Sequence, residues 1–132
     1  MRLGVAADRA YGDWKEMLAG ERMRADRVDL VTVATPNSTH YAIAKGFLEA
    51  GIHVLCEKPI AITAKEAAQL RKIKNVFVAE AFMVRHATQW LAVRDLVKKK
   101  KIGDVRAIQV LFSYFNRDPK NVRNKADIGG GG

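Results

Sequence analysis

The sequence predicts an α/β protein built on a doubly wound parallel sheet. Apolar β-branched runs alternate with amphipathic stretches, and turn or capping residues separate them. No internal repeat or low-complexity linker interrupts this order. A strand that continues through a helix into another strand makes a right-handed crossover, so neighbouring strands are expected to be parallel. At 132 residues, the chain is long enough to bury a core.

The predicted strands share an apolar, β-branched composition and are bounded by turn residues. A short edge strand is expected near residues 9–11, and longer strands at 28–34, 53–56, 76–79 and 105–115. Segment 28–34 is apolar on both faces, which is typical of a strand covered on both sides. Segment 105–115 alternates in character, with Ile108, Val110 and Phe112 on one face.

The predicted helices show apolar positions at helical spacing together with start or stop signals. Asn37 or Ser38 is expected to cap the second helix, Gly51 to end it, and Thr63 with Glu66 to form a capping box for the third. The four helices are predicted over residues 13–23, about 38–50, 63–72 and 88–101.

Composition and charge narrow the function classes. No apolar run approaches the length of a membrane span, and a single cysteine, Cys56, excludes an internal disulfide, so a cytoplasmic location is expected. The net charge of +9 attracts anions, but its densest part, Lys98 to Lys101, lies at a predicted helix end, where cations are favoured. The aromatic residues are not interleaved with the basic ones, so no specific nucleic-acid partner is expected.

Polar or strand-breaking residues follow three of the predicted strands. Parallel strands end at the same edge of the sheet, and ligands of such sheets bind beyond that edge. The convergence therefore predicts a ligand site there, although the groups are far apart in sequence. They are Thr35-Pro36-Asn37, Glu57-Lys58-Pro59 and Glu80-Ala81.

Each group taken alone also has a plain structural explanation. A Pro-Asn pair after a strand is usually a turn and cap, and Glu57-Lys58 is compatible with a solvated ion pair. Cys56 is interpreted as an inert core residue. Histidines such as His40 more often satisfy local hydrogen bonds than take part in chemistry. The sequence contains no metal-ligand spacing and no G-x-G-x-x-G motif for a dinucleotide pyrophosphate.

Three motifs, and the spacing between them along the chain, resemble those of the Gfo/Idh/MocA oxidoreductases. They are "ATPN", "LEAGIHVLCEKP" and "EAFM", and the similarity continues through "IGDVRAIQVLFSYFN" to the glycine run. The resemblance covers nearly the whole chain and includes sugar dehydrogenases such as inositol and xylose dehydrogenases. It implies hydride transfer between NAD or NADP and a sugar or polyol CH–OH group.

The resemblance also implies roles for individual residues. Lys58 is expected to position and polarise the reacting carbon–oxygen bond, and Arg85 to contact substrate. The remaining positions are expected to line the cofactor cleft or to contact the nicotinamide end: Thr35, Pro36, Asn37, His40, Glu57, Pro59, Glu80 and Ala81.

The resemblance implies a domain division and an incomplete chain. Residues 1–82 correspond to a partial NAD(P)-binding Rossmann-like domain without its glycine-rich first βαβ unit. Residues 83–132 correspond to the start of the family's C-terminal α/β sheet domain. The strand at 28–34 is then left with an open edge, and a homo-oligomer formed through exposed sheet edges is expected.

Two readings remain open beside a less favoured third. The chain is either the core of an NAD(P)-dependent sugar oxidoreductase, inactive alone, or a non-catalytic remnant that serves as an assembly or binding module. Non-specific attraction of nucleic acid to the basic surface is the third.

Overall fold

The computed structural model describes residues 4–129, which form a three-stranded sheet with helices and so confirm the α/β class. Short 3₁₀ turns occur at Ala7–Arg9, Met83–Arg85, Val122–Asn124 and Ala126–Ile128. The main elements are α1 (Trp14–Arg22), β1 (Leu30–Val33), α2 (Asn37–Glu49), β2 (His53–Glu57), α3 (Ala64–Leu70), β3 (Val78–Ala81) and α4 (Thr88–Lys98).

The sheet has the order β1-β2-β3, and both pairings are parallel. Val33 is in register with Cys56, and Cys56 is in register with Glu80. The carboxyl ends of all three strands therefore lie at one edge of the sheet, as the sequence predicted.

Helix α2 forms the core by covering one face of β1 and β2. Its apolar stripe follows the helical period, and alternate strand residues point towards it. The buried apolar residues are Val31, Val33, Ile43, Ala44, Phe47, Leu48, Ile52, Val54, Cys56 and Leu70.

Helix α1 packs on the outer side of α2 at a position occupied by a glycine. A Cβ atom on Gly46 would lie 2.9 Å from Cζ3 of Trp14, so a side chain there would push the two helices apart. The Trp14 ring lies 6.4 Å from the Phe47 ring in a tilted arrangement. The absence of a Cβ at Gly46 thus permits the indole to reach the core.

The predicted capping box at the start of α3 is confirmed. The Thr63 hydroxyl accepts from the Glu66 amide at 3.2 Å, and the Glu66 carboxylate accepts from the Thr63 amide at 3.0 Å. The Tyr41 hydroxyl donates to the Gln69 side chain and joins α2 to α3.

The prediction that β1 is covered on both sides is wrong for the described structure. Leu30 is 51% exposed and Thr32 is also exposed, whereas Val31 and Val33 are buried. Because α2 packs on a single face of β1, the apolar residues of the other face remain open to solvent.

The short edge strand expected near residues 9–11 is also wrong. A 3₁₀ turn ends at Arg9, and side-chain contacts hold the segment instead of a strand ladder. Arg9 donates to both carboxylate oxygens of Glu21, at 3.0 and 2.6 Å, and the Tyr11 hydroxyl donates to the same carboxylate. Glu21 is 1% exposed and also accepts from the Val28 amide.

The long strand predicted at 105–115 does not form either. Its alternation of apolar residues is present, but no described strand lies beside it, and a strand needs a neighbour for its backbone hydrogen bonds. Its residues are exposed as a result, with Phe112 84% exposed.

Helix α4 forms where predicted but ends at Lys98, before the expected residue 101. Lys100 and Gly103 have positive φ values of 52° and 72°, which end the helical geometry. The apolar side of α4 remains partly exposed, for example at Trp90 and Val93. No helix of residues 4–129 is long and apolar enough to cross a membrane.

Substitution of Glu21 tests the buried carboxylate. Glu21→Ala removes the acceptor shared by Arg9, Tyr11 and the Val28 amide, so we expect the free energy of unfolding to fall by about 2 kcal/mol. Chemical denaturation measures it. Glu16→Ala on the exposed side of α1 is the matched control, and an equal loss in both variants would contradict the role of Glu21.

The same carboxylate predicts acid sensitivity. The hydrogen bond from Arg9 lowers the pKa of Glu21 below its ordinary 4.5. A lowered folded-state pKa stabilises the fold above pH 4.5, and this contribution disappears as pH falls through the folded-state value. Denaturation measured from pH 6 downwards should therefore show a loss that is absent in Glu21→Gln.

Candidate functional site

A cleft of about 1190 Å³ lies beyond the carboxyl ends of β1 and β2. One wall comes from the turns after these strands and the start of α2, and the opposite wall comes from the chain segment 112–129. Six of the residues singled out from the sequence line it: Thr35, Asn37, His40, Glu57, Lys58 and Pro59.

The turn after β1 is ordered by its own hydroxyl groups. The Thr35 and Thr39 hydroxyls lie 2.6 Å apart, and the Thr39 hydroxyl donates to the Pro36 carbonyl at 2.7 Å. Pro36 precedes α2 without a side-chain cap, so the expectation that Asn37 or Ser38 caps this helix is wrong. The turn presents polar groups to the cleft while α2 begins directly behind it.

Lys58 follows β2 and its side chain is exposed at the cleft. Its amide donates to the Glu57 carboxylate at 3.2 Å, which folds that carboxylate back over the turn. The Lys58–Pro59 peptide bond is cis. The Lys58 side chain is exposed and lines the cleft between the two walls.

His40 contributes to the cleft from the buried side. It is 0% exposed, its Nδ1 lies 2.7 Å from the Pro59 carbonyl oxygen, and its Nε2 lies 2.7 Å from that of Thr35. The ring thus connects the turn after β1 with the turn after β2.

The other predicted site residues lie around the cleft. The Glu80 carboxylate accepts from the Ile60 amide at 2.8 Å, and Ala81 is in register with Glu57 at the end of the sheet. Arg85 lies exposed in the 3₁₀ turn before α4. The structure brings Glu80 and Ala81 to the predicted edge of the sheet, and the substrate role of Arg85 stays a prediction.

The second wall of the cleft was not identified from the sequence as part of a site. Its lining residues include Phe112, Ser113, Tyr114, Asn116, Arg123, Asn124 and Ile128. The sequence predicted only the end of a strand at the start of this segment, and the segment lies more than fifty residues from Lys58. Only its similarity to the family signalled its importance.

Asn37 anchors this second wall. Its side-chain amide donates to the Gly129 carbonyl at 2.8 Å, across 92 residues of sequence. Gly129 has φ +81°, and a Cβ there would lie 2.5 Å from Cδ1 of Ile62 and 3.0 Å from Cβ of Asn37. A glycine is therefore required for this close approach.

Burial and acidic neighbours keep Cys56 protonated behind the cleft. Burial is the main cause, and the charges of Glu80 and Glu57 add to it, so the pKa of the thiol rises to about 11. The prediction that Cys56 is a buried core residue is confirmed. Within residues 4–129, no group of three His, Cys, Asp or Glu side chains could hold a metal ion.

A family model describing "Oxidoreductase family, NAD-binding Rossmann fold", GFO_IDH_MocA, matches residues 2–82. Among curated proteins, an uncharacterized oxidoreductase from Rhizobium meliloti is 41% identical over 98% of this chain and 38% of its own length. D-xylose 1-dehydrogenase (NADP(+)) from Hypocrea jecorina is 37% identical over 94% of this chain and 32% of its own length.

Solved structures agree with these similarities. An inositol dehydrogenase homolog from Azotobacter vinelandii, complexed with NADH and myo-inositol, superimposes with a TM-score of 0.75 at 37% identity. The alignment covers 79% of this chain and 28% of that protein. An oxidoreductase from Pseudomonas syringae gives a TM-score of 0.74 at 39% identity, over 79% of this chain and 29% of that one. The chain spans about a third of the length of the curated relatives it matches.

An alanine at Gly129 tests the anchor of the second wall. We expect Gly129→Ala to displace the segment from Asn37, because the Cβ has no room and φ is positive. The Asn37 side-chain amide signal in an NMR spectrum should shift accordingly. Gly103→Ala is the matched control, since φ is +72° there but no atom lies within 4 Å.

Both alanine variants carry a backbone cost of about 1 kcal/mol from positive φ. Only the variant at Gly129 should change the Asn37 signal. An unchanged signal in Gly129→Ala, or the same shift in both variants, would contradict the anchoring contact.

Proposed function

The chain belongs to the Gfo/Idh/MocA oxidoreductase family with an NAD-binding Rossmann fold, and from this membership we propose that its cleft serves NAD(P)-dependent oxidation of a sugar or polyol CH–OH group. The observation that carries the proposal is the position of Lys58. It lies at the carboxyl end of the central parallel strand and is exposed in the cleft. One wall of this cleft comes from the strand ends and the other from segment 112–129.

The cleft residues suit the nicotinamide–ribose end of a dinucleotide. Hydroxyl, carboxamide and carboxylate groups of Thr35, Asn37 and Glu57 stand along one wall and can bond ribose hydroxyls. The sequence has no G-x-G-x-x-G loop for the pyrophosphate. The fit therefore concerns the reacting end of the cofactor, and the choice between NAD and NADP stays open.

The chemistry assigned to this chain centres on Lys58. A bound nicotinamide supplies the hydride acceptor or donor. Oxidation of a CH–OH group releases a hydride and the hydroxyl proton, leaving a carbonyl. The Lys58 ammonium donates a hydrogen bond to the reacting oxygen and stabilises the negative charge that develops there. The hydroxyl proton passes to solvent water, because Lys58 acts as a donor and no described residue is assigned as the acceptor.

The second wall supports a polyhydroxylated substrate. Ser113, Tyr114, Asn116 and Asn124 offer hydroxyl and carboxamide groups on the side of the cleft opposite the strand ends. Such groups both donate and accept hydrogen bonds, as recognition of a row of sugar hydroxyls requires. The relatives named as xylose and inositol dehydrogenases are consistent with an aldose or cyclic polyol.

Lys58→Met tests the catalytic assignment. It keeps the length of the side chain but removes its charge, so we expect kcat for polyol oxidation to fall by at least about 100-fold. The dissociation constant for NADH, measured by nicotinamide fluorescence, should change little. Lys65→Met, on the exposed side of α3, is the control and should keep its activity.

The assays should use myo-inositol and D-xylose with NAD and NADP. Absence of NADH binding to the wild-type chain would contradict the proposed function. Retention of full turnover in Lys58→Met would remove Lys58 from the mechanism.

A second proposal concerns assembly, and the open edge of β1 supports it. The Asp29 carbonyl accepts from the His53 amide, so alternate residues of this stretch face β2. The peptide groups of Leu30 and Thr32 consequently point to the other edge, where no described strand lies. Such an edge can pair with a second copy of the chain. This assembly, with a cytoplasmic location, is also compatible with a non-catalytic binding module.

Thr32→Pro tests the edge pairing, because proline removes an outward N–H group and is tolerated on edge strands. We expect sedimentation velocity to show oligomers of the wild type and a shift towards monomer in the variant. Leu111→Lys is the control, since Leu111 is 93% exposed and lies outside the sheet. A compact wild-type monomer at all concentrations would contradict edge pairing.

A further inference from the structure

We propose that His40 and Glu80 are positioning residues that hold the turn after Lys58 from its two sides. The inference rests on the proposed function of Lys58 and concerns how that side chain is kept in place. The family resemblance implies that both residues line the cofactor cleft or contact the nicotinamide end, and their contacts with the Lys58 turn point to a positioning task as well.

His40 connects the turn after Lys58 with the turn after β1. Its ring lies 2.7 Å from the Pro59 carbonyl on one side and 2.7 Å from the Thr35 carbonyl on the other. Because the side chain is fully buried, the ring is not available to form a broad contact with a ligand. It is shielded from competing water, so each hydrogen bond that it donates is strengthened by the low local dielectric.

The ring chemistry of His40 adds to the constraint. Carbonyl oxygens only accept hydrogen bonds, a neutral imidazole has one N–H, and an imidazolium has two. The neutral ring therefore donates to one of the two turns, and the imidazolium donates to both. The ring contacts both turns in either state, but only the imidazolium donates a hydrogen bond to each of them.

Glu80 fastens the same turn to β3. It is in register with Cys56 near the end of the sheet, and its Oε1 accepts from the Ile60 amide at 2.8 Å. A charged acceptor makes a stronger hydrogen bond than a neutral one. This carboxylate oxygen is thus engaged with backbone rather than directed at a ligand.

The two contacts connect the turn after Lys58 to the elements on both sides of β2. His40 connects it to the turn after β1, and Glu80 connects it to β3. The Lys58 side chain is exposed and no described side chain holds its ammonium group, so the turn sets only the Cα position and direction from which the side chain extends. Displacement of a reacting group by about 1 Å can cost two orders of magnitude in rate. The contacts to Pro59 and Ile60 therefore limit the positions that the ammonium group can reach.

Amide hydrogen exchange and NMR of the full chain test this arrangement without a cofactor. In Glu80→Ala, we expect exchange of the Ile60 amide to accelerate about tenfold, because its acceptor is lost. Glu80→Gln retains a carbonyl oxygen at that position and should restore most of the protection. Both substitutions lie at an exposed position, so the fold should be kept.

His40→Phe and His40→Gln test the other side. The Lys58 amide signal should shift in both, more in the phenylalanine variant, while the signals of Lys45 and Lys65 stay in place. His53→Gln is the control, because the His53 ring also contacts the backbone, accepting from the Phe77 amide, but at the opposite end of β2. A general loss of stability would shift the amide signals of Lys45 and Lys65 together with that of Lys58.

The double variant Glu80→Ala with His40→Gln should depart from the sum of the single effects on the Lys58 signal, since both act on one turn. Unchanged Ile60 exchange in Glu80→Ala, or an equal Lys58 shift in His53→Gln, would overturn the proposal. NADH titration of the same samples separates the two ideas, because failure of wild-type binding contradicts the proposed function and leaves the exchange result intact.

Discussion

The parallel register of the three strands is the constraint on which the rest of the structure depends. It brings the ends of β1, β2 and β3 to one edge, with Val33, Cys56 and Glu80 side by side. Residues separated by more than twenty positions thereby become neighbours. Helix α2 makes this arrangement stable, because it buries the alternate apolar residues of β1 and β2 beneath a single stripe.

The carboxyl edge of the sheet has polar residues on its surface. Beneath them, side-chain contacts connect the turns that follow the strands. A buried imidazole joins two of the turns through backbone carbonyls, and a carboxylate from the third strand joins the same centre through an amide. The exposed side chain of Lys58 extends from this connected backbone into the cleft.

Local chemistry made part of this structure predictable. The capping box of Thr63 and Glu66 needs only residues three positions apart, and the strand that ends in Glu57-Lys58-Pro59 is marked by its own composition. Parallel topology then predicted that the polar groups meet at one edge. Five residues of these groups do line one cleft: Thr35, Asn37, Glu57, Lys58 and Pro59.

The remainder depends on long-range contacts that no local pattern encodes. Asn37 resembles a helix cap, yet its side chain bonds Gly129 instead. Residues 105–115 alternate like a strand, but a strand forms only beside a neighbour, and none is described there. Arg9 lies in an apparent strand, but its ion pair with buried Glu21 sets the local conformation. Similarly, Glu80 has the chemistry of a ligand contact, and only the structure shows that it bonds the Ile60 amide.

The most direct test of the account is to map NADH onto the full chain by its effect on backbone amide signals. The perturbed signals are expected to cluster at Thr35, Asn37, Glu57 and Lys58, along the carboxyl edge of the sheet. A second cavity, lined by Tyr11, Trp14 and Met17 near the first helix, offers the clearest contrast. Perturbations confined to that cavity, or no perturbation at all, would contradict a cofactor site at the strand ends.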